Sequence, residues 1–376
     1  MKRLGVLGGG QLGRMMGLAG LPLGLEFTFL DTAPDACAGS VGTLIRAGFS
    51  DAAAISRMAD EIDVATFDFE NVPESSALIM QEKIPFYPPP NALGSCQDRL
   101  LEKDLLTSLG IPVSAYHTVS GRPDLLAGLD HLGYPSVLKT RRFGYDGKGQ
   151  AVLRDQEDLE RAWQALGDHE LILESFVPFD LECSLIGVRS ASGEIRYWPL
   201  TRNEHVNGIL MLSRAGGLGM QLQQTAQSIM QGLMEHFNYV GVLTLEFFLQ
   251  DGALLVNEIA PRVHNSGHWT IDGAETSQFE NHLRAITGMP LGSTAQKAEA
   301  IMFNWIGDLP DRGKALSIPG VHWHEYGKTP RPGRKIGHAT LTAQSTEELM
   351  AGATRLAEVA GGNFSALLEA LFSSDD

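Results

Sequence analysis

A chain of 376 residues is long enough for two or three ordinary domains and a sizeable buried core, which excludes a mini-protein. With 43% hydrophobic and 20% charged residues it reads as a folded globular chain and not as a disordered or collagen-like one. Twenty-nine Lys and Arg against 45 Asp and Glu leave a formal charge of −16, which opposes non-specific attraction to nucleic acid or anionic membranes, so anionic ligands need local basic sites. Cys37, Cys96 and Cys183 are too scattered for a disulfide framework or a CxxC metal site. The apolar start is interrupted by Gly8, too early for a signal core or a membrane span, and a cytoplasmic protein is expected.

In chain order, Leu4 to Leu7, Phe27 to Leu30 and Val64 to Phe69 carry strand patterns, and Gln11 to Leu18 and Ala52 to Ile62 carry helical ones. That βαβαβ order predicts an open parallel sheet with helices on both faces. Pro88-Pro89-Pro90 breaks the pattern and marks a boundary near residue 90, before a helix from Asp98 to Leu109 that stops at Gly110. Ser136 to Lys139 and Ala151 to Leu153 predict a hairpin with a glycine-rich tip. Leu171 to Glu174, Leu181 to Val188, Val242 to Leu249 and Leu254 to Ile259 predict an antiparallel sheet, the last two joined at Asp251-Gly252. Ser345 and Glu348 form a capping box opening an amphipathic helix that Gly361-Gly362 stops. Neither an internal repeat nor a low-complexity tract occurs.

Gly8-x-Gly10-x-x-Gly13 between strand and helix, with Asp31 ending the next strand, formally satisfies a dinucleotide fingerprint, although the glycines alone permit a tight turn whose helix N-terminus holds any anion or none. The hairpin is more informative. Lys139 ends a strand, and Gly144, Gly147 and Gly149 leave amides free to wrap phosphates, as in a nucleotide lid; a flexible solvated hairpin is the plain alternative, and no Walker A pattern exists. Glu246 and Glu258 fall near the ends of neighbouring strands, with Asn257 beside the second, an oxygen set that suits magnesium; otherwise either glutamate pairs with Arg262 or faces solvent. The run from Asn257 to His268 reads as a site-forming loop. His264 and His268 have a zinc-compatible spacing only on a helix, which the intervening Asn, Ser and Gly disfavour, and Arg262 beside His264 and Asn265 better suits a small planar anion. Lys328, Arg331, Arg334 and Lys335, against the overall charge, read as a phosphate site or else a solvated basic loop.

Together these residues resemble one family. Gly8-Gly9-Gly10-Gln11-Leu12-Gly13-Arg14, Phe143 to Gln150, the run from Asn257 to His268 and Arg331 to His338 closely resemble the N5-carboxyaminoimidazole ribonucleotide synthetases, ATP-grasp carboxylases of purine synthesis, over nearly the whole chain. The resemblance implies an α/β ATP-grasp fold with an N-terminal Rossmann-like (preATP-grasp) parallel sheet domain over 1–95, a small mobile lid over 96–173 and a large domain with the substrate-binding portion over 174–376. A homodimer is implied, with no nucleic-acid or membrane partner. Arg99, Lys139 and the loop Gly144, Tyr145, Asp146, Gly147, Lys148, Gly149 and Gln150 should meet the ATP phosphates. Glu174, Ser175, Phe176 and Val177 should form the hinge facing adenine, Glu182 the ribose ligand, with His205 and Asn257 also at the nucleotide. Glu246 and Glu258 match ligands of Mg2+, with Mn2+ as an alternative. Arg262, His264 and Asn265 match the bicarbonate pocket. Glu70, Tyr145, Asp146 and Lys148 match residues near 5-aminoimidazole ribonucleotide, and Lys328, Arg334 and Lys335 its phosphate anchor. Lys148 stands where many members carry Arg, which keeps the charge and loses the bidentate geometry.

The chemistry so implied is attack of bicarbonate on the γ-phosphate of ATP to give carboxyphosphate. The exocyclic amine of the ribonucleotide then captures that species, or CO₂ released from it, with Asp146 orienting the amine or taking its proton. Three rivals stand beside it: a nicotinamide-dependent oxidoreductase, a nucleotide-sensing protein without turnover, and a sister ATP-grasp ligase acting on glycinamide ribonucleotide or biotin.

Overall fold

The computed structural model describes residues 2–144 and 147–372, and among these the strands gather into three sheets. The first holds β1 (Arg3–Leu7), β2 (Glu26–Asp31), β3 (Thr43–Arg46) and β4 (Val64–Phe67) in the order β3-β2-β1-β4, every neighbouring pair parallel. Leu4 and Val6 pack with Met15 and Met16 of helix Gln11–Gly20, while Leu7 joins Ile55 and Met58 of helix Ala52–Glu61. Both faces are therefore covered, as a parallel sheet requires. The sequence pattern misses β3. It is a short strand at the sheet edge with no buried residue, and the chain enters it through the 3-10 turn Cys37–Ser40 instead of an α-helix.

The second sheet is antiparallel, with β5 (Tyr116–Val119), β6 (Ser136–Thr140), β7 (Gln150–Leu153) and β8 (Leu171–Ser175) in the order β5-β8-β6-β7. The expected hairpin is present, Ser136 facing Leu153 and Lys139 facing Gln150. Leu138, Leu171 and Leu173 pack under helices Arg122–Leu132 and Gln156–Leu166. Strand alternation then turns Lys139 and Glu174 to the opposite face.

The large sheet contains β9 (Leu181–Arg189), β10 (Ile195–Tyr197), β11 (Thr201–Val206), β12 (Ile209–Ala215), β13 (Gly241–Gln250), β14 (Ala253–Ala260), β15 (Glu299–Ile306), β16 (Val321–Glu325) and β17 (Lys335–Ala343). Its order is β14-β13-β9-β11-β12-β15-β17-β16, with β10 paired to β9. Two-residue turns with both φ angles positive, Asp251-Gly252 and Asn207-Gly208, close the β13–β14 and β11–β12 hairpins. The expected capped helix spans Thr346–Ala360, with Ser345 Oγ accepting from the Glu348 amide at 3.2 Å and Gly361 at φ 70°. His282, in helix Gln278–Thr287, joins the first sheet to the large one: its Nδ1 accepts from the Val242 amide at 3.1 Å, so Nε2 carries the proton toward Thr66 Oγ1 at 2.9 Å. Among the described residues no helix is long and apolar enough to cross a membrane.

Candidate functional site

The glycine turn after β1 is already filled by the protein itself. Asp68, just past β4, accepts from the amides of Gly10 at 2.8 Å and Gly13 at 3.0 Å, and Asp31 accepts from Gly9 at 2.7 Å and Ala33 at 2.9 Å. A Cβ on Gly8, at φ +112°, would lie 1.6 Å from Asp68 Oδ1. Burial, partly offset by the Gly13 and Gly10 amides, pushes the Asp68 carboxyl up to about 6. The helix N-terminus thus grips an internal carboxyl where a dinucleotide pyrophosphate would have to sit, which removes the nicotinamide reading.

On the face of the second sheet turned away from helices Arg122–Leu132 and Gln156–Leu166, Glu174 Oε2 takes three donors: Ser114 Oγ at 3.0 Å, Lys139 Nζ at 3.1 Å and Lys103 Nζ at 3.4 Å. Burial alone would raise Glu174, but Lys139, then Lys103 and Arg99, hold it well below the usual carboxylate range. Burial also lowers Lys139, with Glu174 opposing the shift. Lys103 belongs to no motif in the sequence, although its i, i+4 spacing from Arg99 on helix Arg99–Ser108 puts both cations on one helix face. Asp98 caps that helix through the Leu100 amide and takes Arg141 through Nε at 2.9 Å and Nη2 at 2.7 Å, tying the helix to the end of β6. The hinge amides of Ser175 and Phe176 are bonded to the carbonyls of Ala115 and Pro135; Val177 is buried and Phe176 is 40% exposed.

Glu246 and Glu258 are direct cross-strand partners on β13 and β14. Glu258 lies near a strand end as expected, whereas Glu246 sits in mid-strand. A register shift leaves Asn257 as the extra residue of a β-bulge, and its Oδ1 is buried with no partner among the described residues. Burial and the facing Glu258 push Glu246 up; burial would do the same to Glu258, but Arg99 and Lys139 hold it down. Neither glutamate takes Arg262, the alternative partner expected for them. Arg99 Nη1 stands 3.2 Å from Glu258 Oε2, His264 Nε2 stands 3.1 Å from Glu246 Oε1, and Arg262 Nε bonds Glu70 Oε2 at 2.5 Å.

The run from Asn257 to His268, expected as a loop, begins as the last half of β14 and continues into a 3-10 turn, Asn265–Gly267, whose Ser266 is fully buried. His264 Nδ1 accepts from the Ser266 amide at 3.3 Å, so the neutral ring carries its proton on Nε2 and donates toward Glu246. Burial, then Arg262 and Lys335, push His264 well below its ordinary value. His268 turns away to Gln278, so the two histidines do not converge on one ion. Asn265 exchanges both amide groups with the buried Asn304, at 3.0 and 2.7 Å, a partner with no local sequence signal. His205 Nδ1 lies 2.8 Å from Glu182 Oε2; burial would lower this histidine, but the Glu182 contact raises it.

Lys328 donates to Gln11 Oε1, which brings the basic loop against the glycine turn, two features that the sequence reading kept apart. Burial lowers Lys328, and neighbouring Arg334 and Lys335 add to the effect. Arg334 Nη1 bonds the Thr329 carbonyl at 3.0 Å, and the Lys335 charge reaches His205, Glu246 and His264. In the lid hairpin, Tyr145 and Asp146 lie outside the described residues. Gly144 has Thr140 and Lys148 close to it, Gly149 accepts from the Thr140 amide at 2.7 Å, and exposed Gln150 opens β7. Gly147, at φ +75°, lies so close to the β11–β12 turn that a Cβ would be 2.4 Å from the Asn207 carbonyl oxygen.

Models of three families match the chain: a ribonucleotide synthetase preATP-grasp domain over 1–97, an ATP-grasp domain over 104–279 and a phosphoribosylaminoimidazole carboxylase C-terminal domain over 300–352. The N5-carboxyaminoimidazole ribonucleotide synthase of Pseudomonas aeruginosa is 50% identical over 357 residues, 95% of this chain and 98% of that one. The crystal structure of N5-carboxyaminoimidazole ribonucleotide synthetase from Thermus thermophilus matches with a TM-score of 0.91 at 50% identity, covering 96% of this chain and 99% of that one. The enzyme of Aspergillus clavatus, solved with ADP and 5-aminoimidazole ribonucleotide, matches with a TM-score of 0.89 at 31% identity, covering 96% and 98%. On this fold, these motifs and this identity, the chain belongs to the N5-carboxyaminoimidazole ribonucleotide synthase family of ATP-grasp ligases.

Proposed function

We infer that this protein carries out the ATP-dependent conversion of 5-aminoimidazole ribonucleotide to N5-carboxyaminoimidazole ribonucleotide in purine biosynthesis, using bicarbonate and releasing ADP and phosphate. The observation that carries the reading is a pair of separate cation clusters. Arg99 pairs with Glu258, one of the facing glutamates, and Lys139 with Glu174, while Lys328, in the basic loop, stands against the N-terminal turn. The Arg262–Glu70 ion pair ties the segment after β14, the strand of Glu258, to the N-terminal domain whose glycine turn Lys328 meets. Two anionic substrates need two such clusters. The first sheet within 1–95 and the large sheet within 174–376 support a division into 1–95, 96–173 and 174–376, with β8 of the second sheet crossing the last boundary. The same reading makes the protein a cytoplasmic homodimer, which sedimentation would check.

Lys139 and Arg99 would hold the ATP phosphates, with the glycine hairpin closing over them, the Val177 amide left to face adenine, and Glu182 and His205 toward the ribose. Two facing carboxylates, one with a raised pKa, beside the unpartnered Asn257 oxygen form an oxygen set that fits Mg2+, with Mn2+ as an alternative. Such an ion would neutralise charge on the phosphates. Arg262, neutral His264 and Asn265 would orient bicarbonate, whose oxygen attacks the γ-phosphate to give carboxyphosphate and ADP. The exocyclic amine of the ribonucleotide, its phosphate on Lys328, Arg334 and Lys335 and its ring near Glu70, then attacks the carboxyl carbon and phosphate leaves. Tyr145, Asp146 and Lys148 on the lid would orient that amine, Asp146 orienting it or taking the proton it loses, and exclude water from the labile intermediate.

The decisive assay supplies ATP, magnesium, labelled bicarbonate and 5-aminoimidazole ribonucleotide and follows ADP release together with acid-labile label. Release that depends on both bicarbonate and the ribonucleotide is the expected outcome. Equal turnover with glycinamide ribonucleotide and formate would return the sister-ligase reading, and binding of ATP without turnover would return the sensor.

A further inference from the structure

We propose that Lys103 is a positioning residue that keeps Lys139 available to the nucleotide, by neutralising Glu174 from the side no ligand reaches. The inference rests on the assignment of Lys139 to the ATP phosphates. Lys103 is 0% exposed, and its ammonium lies among Glu174 Oε2 at 3.4 Å, Ser114 Oγ at 3.3 Å and the carbonyls of Val256 at 3.4 Å and Asn257 at 3.2 Å. A group so enclosed cannot touch a substrate. Lys139 meets Glu174 at 3.1 Å with its side chain 10% exposed, against 1% for Lys103.

The charge count explains the arrangement. Glu174 is 2% exposed and, with only Lys139 for a counter-ion, would hold that ammonium in a closed, desolvated ion pair. With Lys103 on the same oxygen, one carboxylate faces two ammonium groups, and one positive charge remains for a phosphate. The acceptors of Lys103 also place it between two sheets. Val256 and Asn257 belong to β14, the strand carrying Glu258, whereas Glu174 belongs to the sheet carrying Lys139, and Ser114 lies between Val113, which bridges Val256, and β5. One buried cation therefore sets the charge of the phosphate-binding lysine and its distance from the metal-binding strand.

The test measures the affinity of the full-length chain for ADP with magnesium by calorimetry, in the wild type, Lys103→Met, Glu174→Gln and the double variant, with Lys139→Met as reference. Lys103→Met should weaken ADP by roughly 10-fold to 150-fold, the loss of one charge-assisted contact. Adding Glu174→Gln should bring the affinity back to within about 3-fold of Glu174→Gln alone, because Lys139 is then released. A role confined to folding predicts no such recovery. If Lys103→Met does not fold, Glu174→Gln and the double variant still decide the matter, since buried partners removed together are tolerated. A further loss of about 10-fold in the double variant overturns the inference, as does wild-type affinity in Lys103→Met while Lys139→Met is weak. Wild-type affinity in Lys139→Met instead removes the premise, and leaves the carboxylase reading to its own assay.

Discussion

Asp68 lies where helix Gln11–Gly20 presents its first amides, and its carboxyl is buried with a pKa raised from 3.8 to about 6. The folded protein holds that proton more tightly than the unfolded chain does. Its contribution to stability is therefore full below 3.8 and is lost as the pH rises through about 6. A shift of about two pKa units corresponds to about 3 kcal/mol. Asp68→Asn keeps an acceptor for the Gly10 and Gly13 amides and removes the titration. Its melting temperature should improve relative to the wild type between pH 4 and pH 7, and a constant difference would mean that Asp68 ionises normally. Lys139, Glu246, Glu258 and Arg262 were legible because a charge in an apolar or proline-broken pattern is costly without a task. Asp68, Lys103 and Asn304 were not, because the groups they satisfy come from strands and turns far away in the chain.

Among the elements, the hairpins closed by Asp251-Gly252 and by the glycine-rich tip were readable from local turn chemistry, as was the helix capped by Ser345. The bulge at Asn257 was not, since it exists only as a register between two strands. Neither was the seating of the lid tip on the β11–β12 turn, which depends on how two sheets are placed. That seating makes Gly147 the sharpest probe of the hairpin. A methyl group there clashes with the Asn207 carbonyl at 2.4 Å and must tolerate a φ of +75°, so Gly147→Ala should lift the tip without unfolding the sheet beneath. Displacement of about 1 Å in such a lid costs on the order of 10²-fold in turnover. A lifted lid also admits water, so more ADP should be released per carboxylated product than in the wild type. Equal coupling of ADP to product in the variant would show that the tip does not shield the intermediate.

At the scale of the whole molecule, burial keeps several histidines neutral, and one of them, His282, joins two of the sheets. His264, His268, His282 and His338 are all pushed below the ordinary value, His282 to about 3 by burial alone. The unfolded chain takes up a proton at each near 6.5, so their contribution is present above 6.5 and is lost as the pH falls toward the folded value. Asp68 and Glu102 of helix Arg99–Ser108, raised by burial to about 6 and about 8, act in the opposite direction and offset part of the loss from the histidines on acidification. His282 isolates one part of this balance, because it lies in the contact between Thr66 of β4 and Val242 of β13, remote from the cation clusters. His282→Gln should lower the melting temperature at pH 8, since one amide cannot reproduce both ring contacts. On acidification the wild type takes on a proton-linked loss that the variant lacks, up to about 1.4 kcal/mol per pH unit. The two melting curves should therefore converge by about 2 kcal/mol between pH 6.5 and pH 5. Thr66→Val, which removes the hydroxyl partner and keeps the buried ring, should lower stability and retain the wild-type slope. A gap between wild type and His282→Gln that stays constant down to pH 5 would assign the acid sensitivity of the domain contact to other groups.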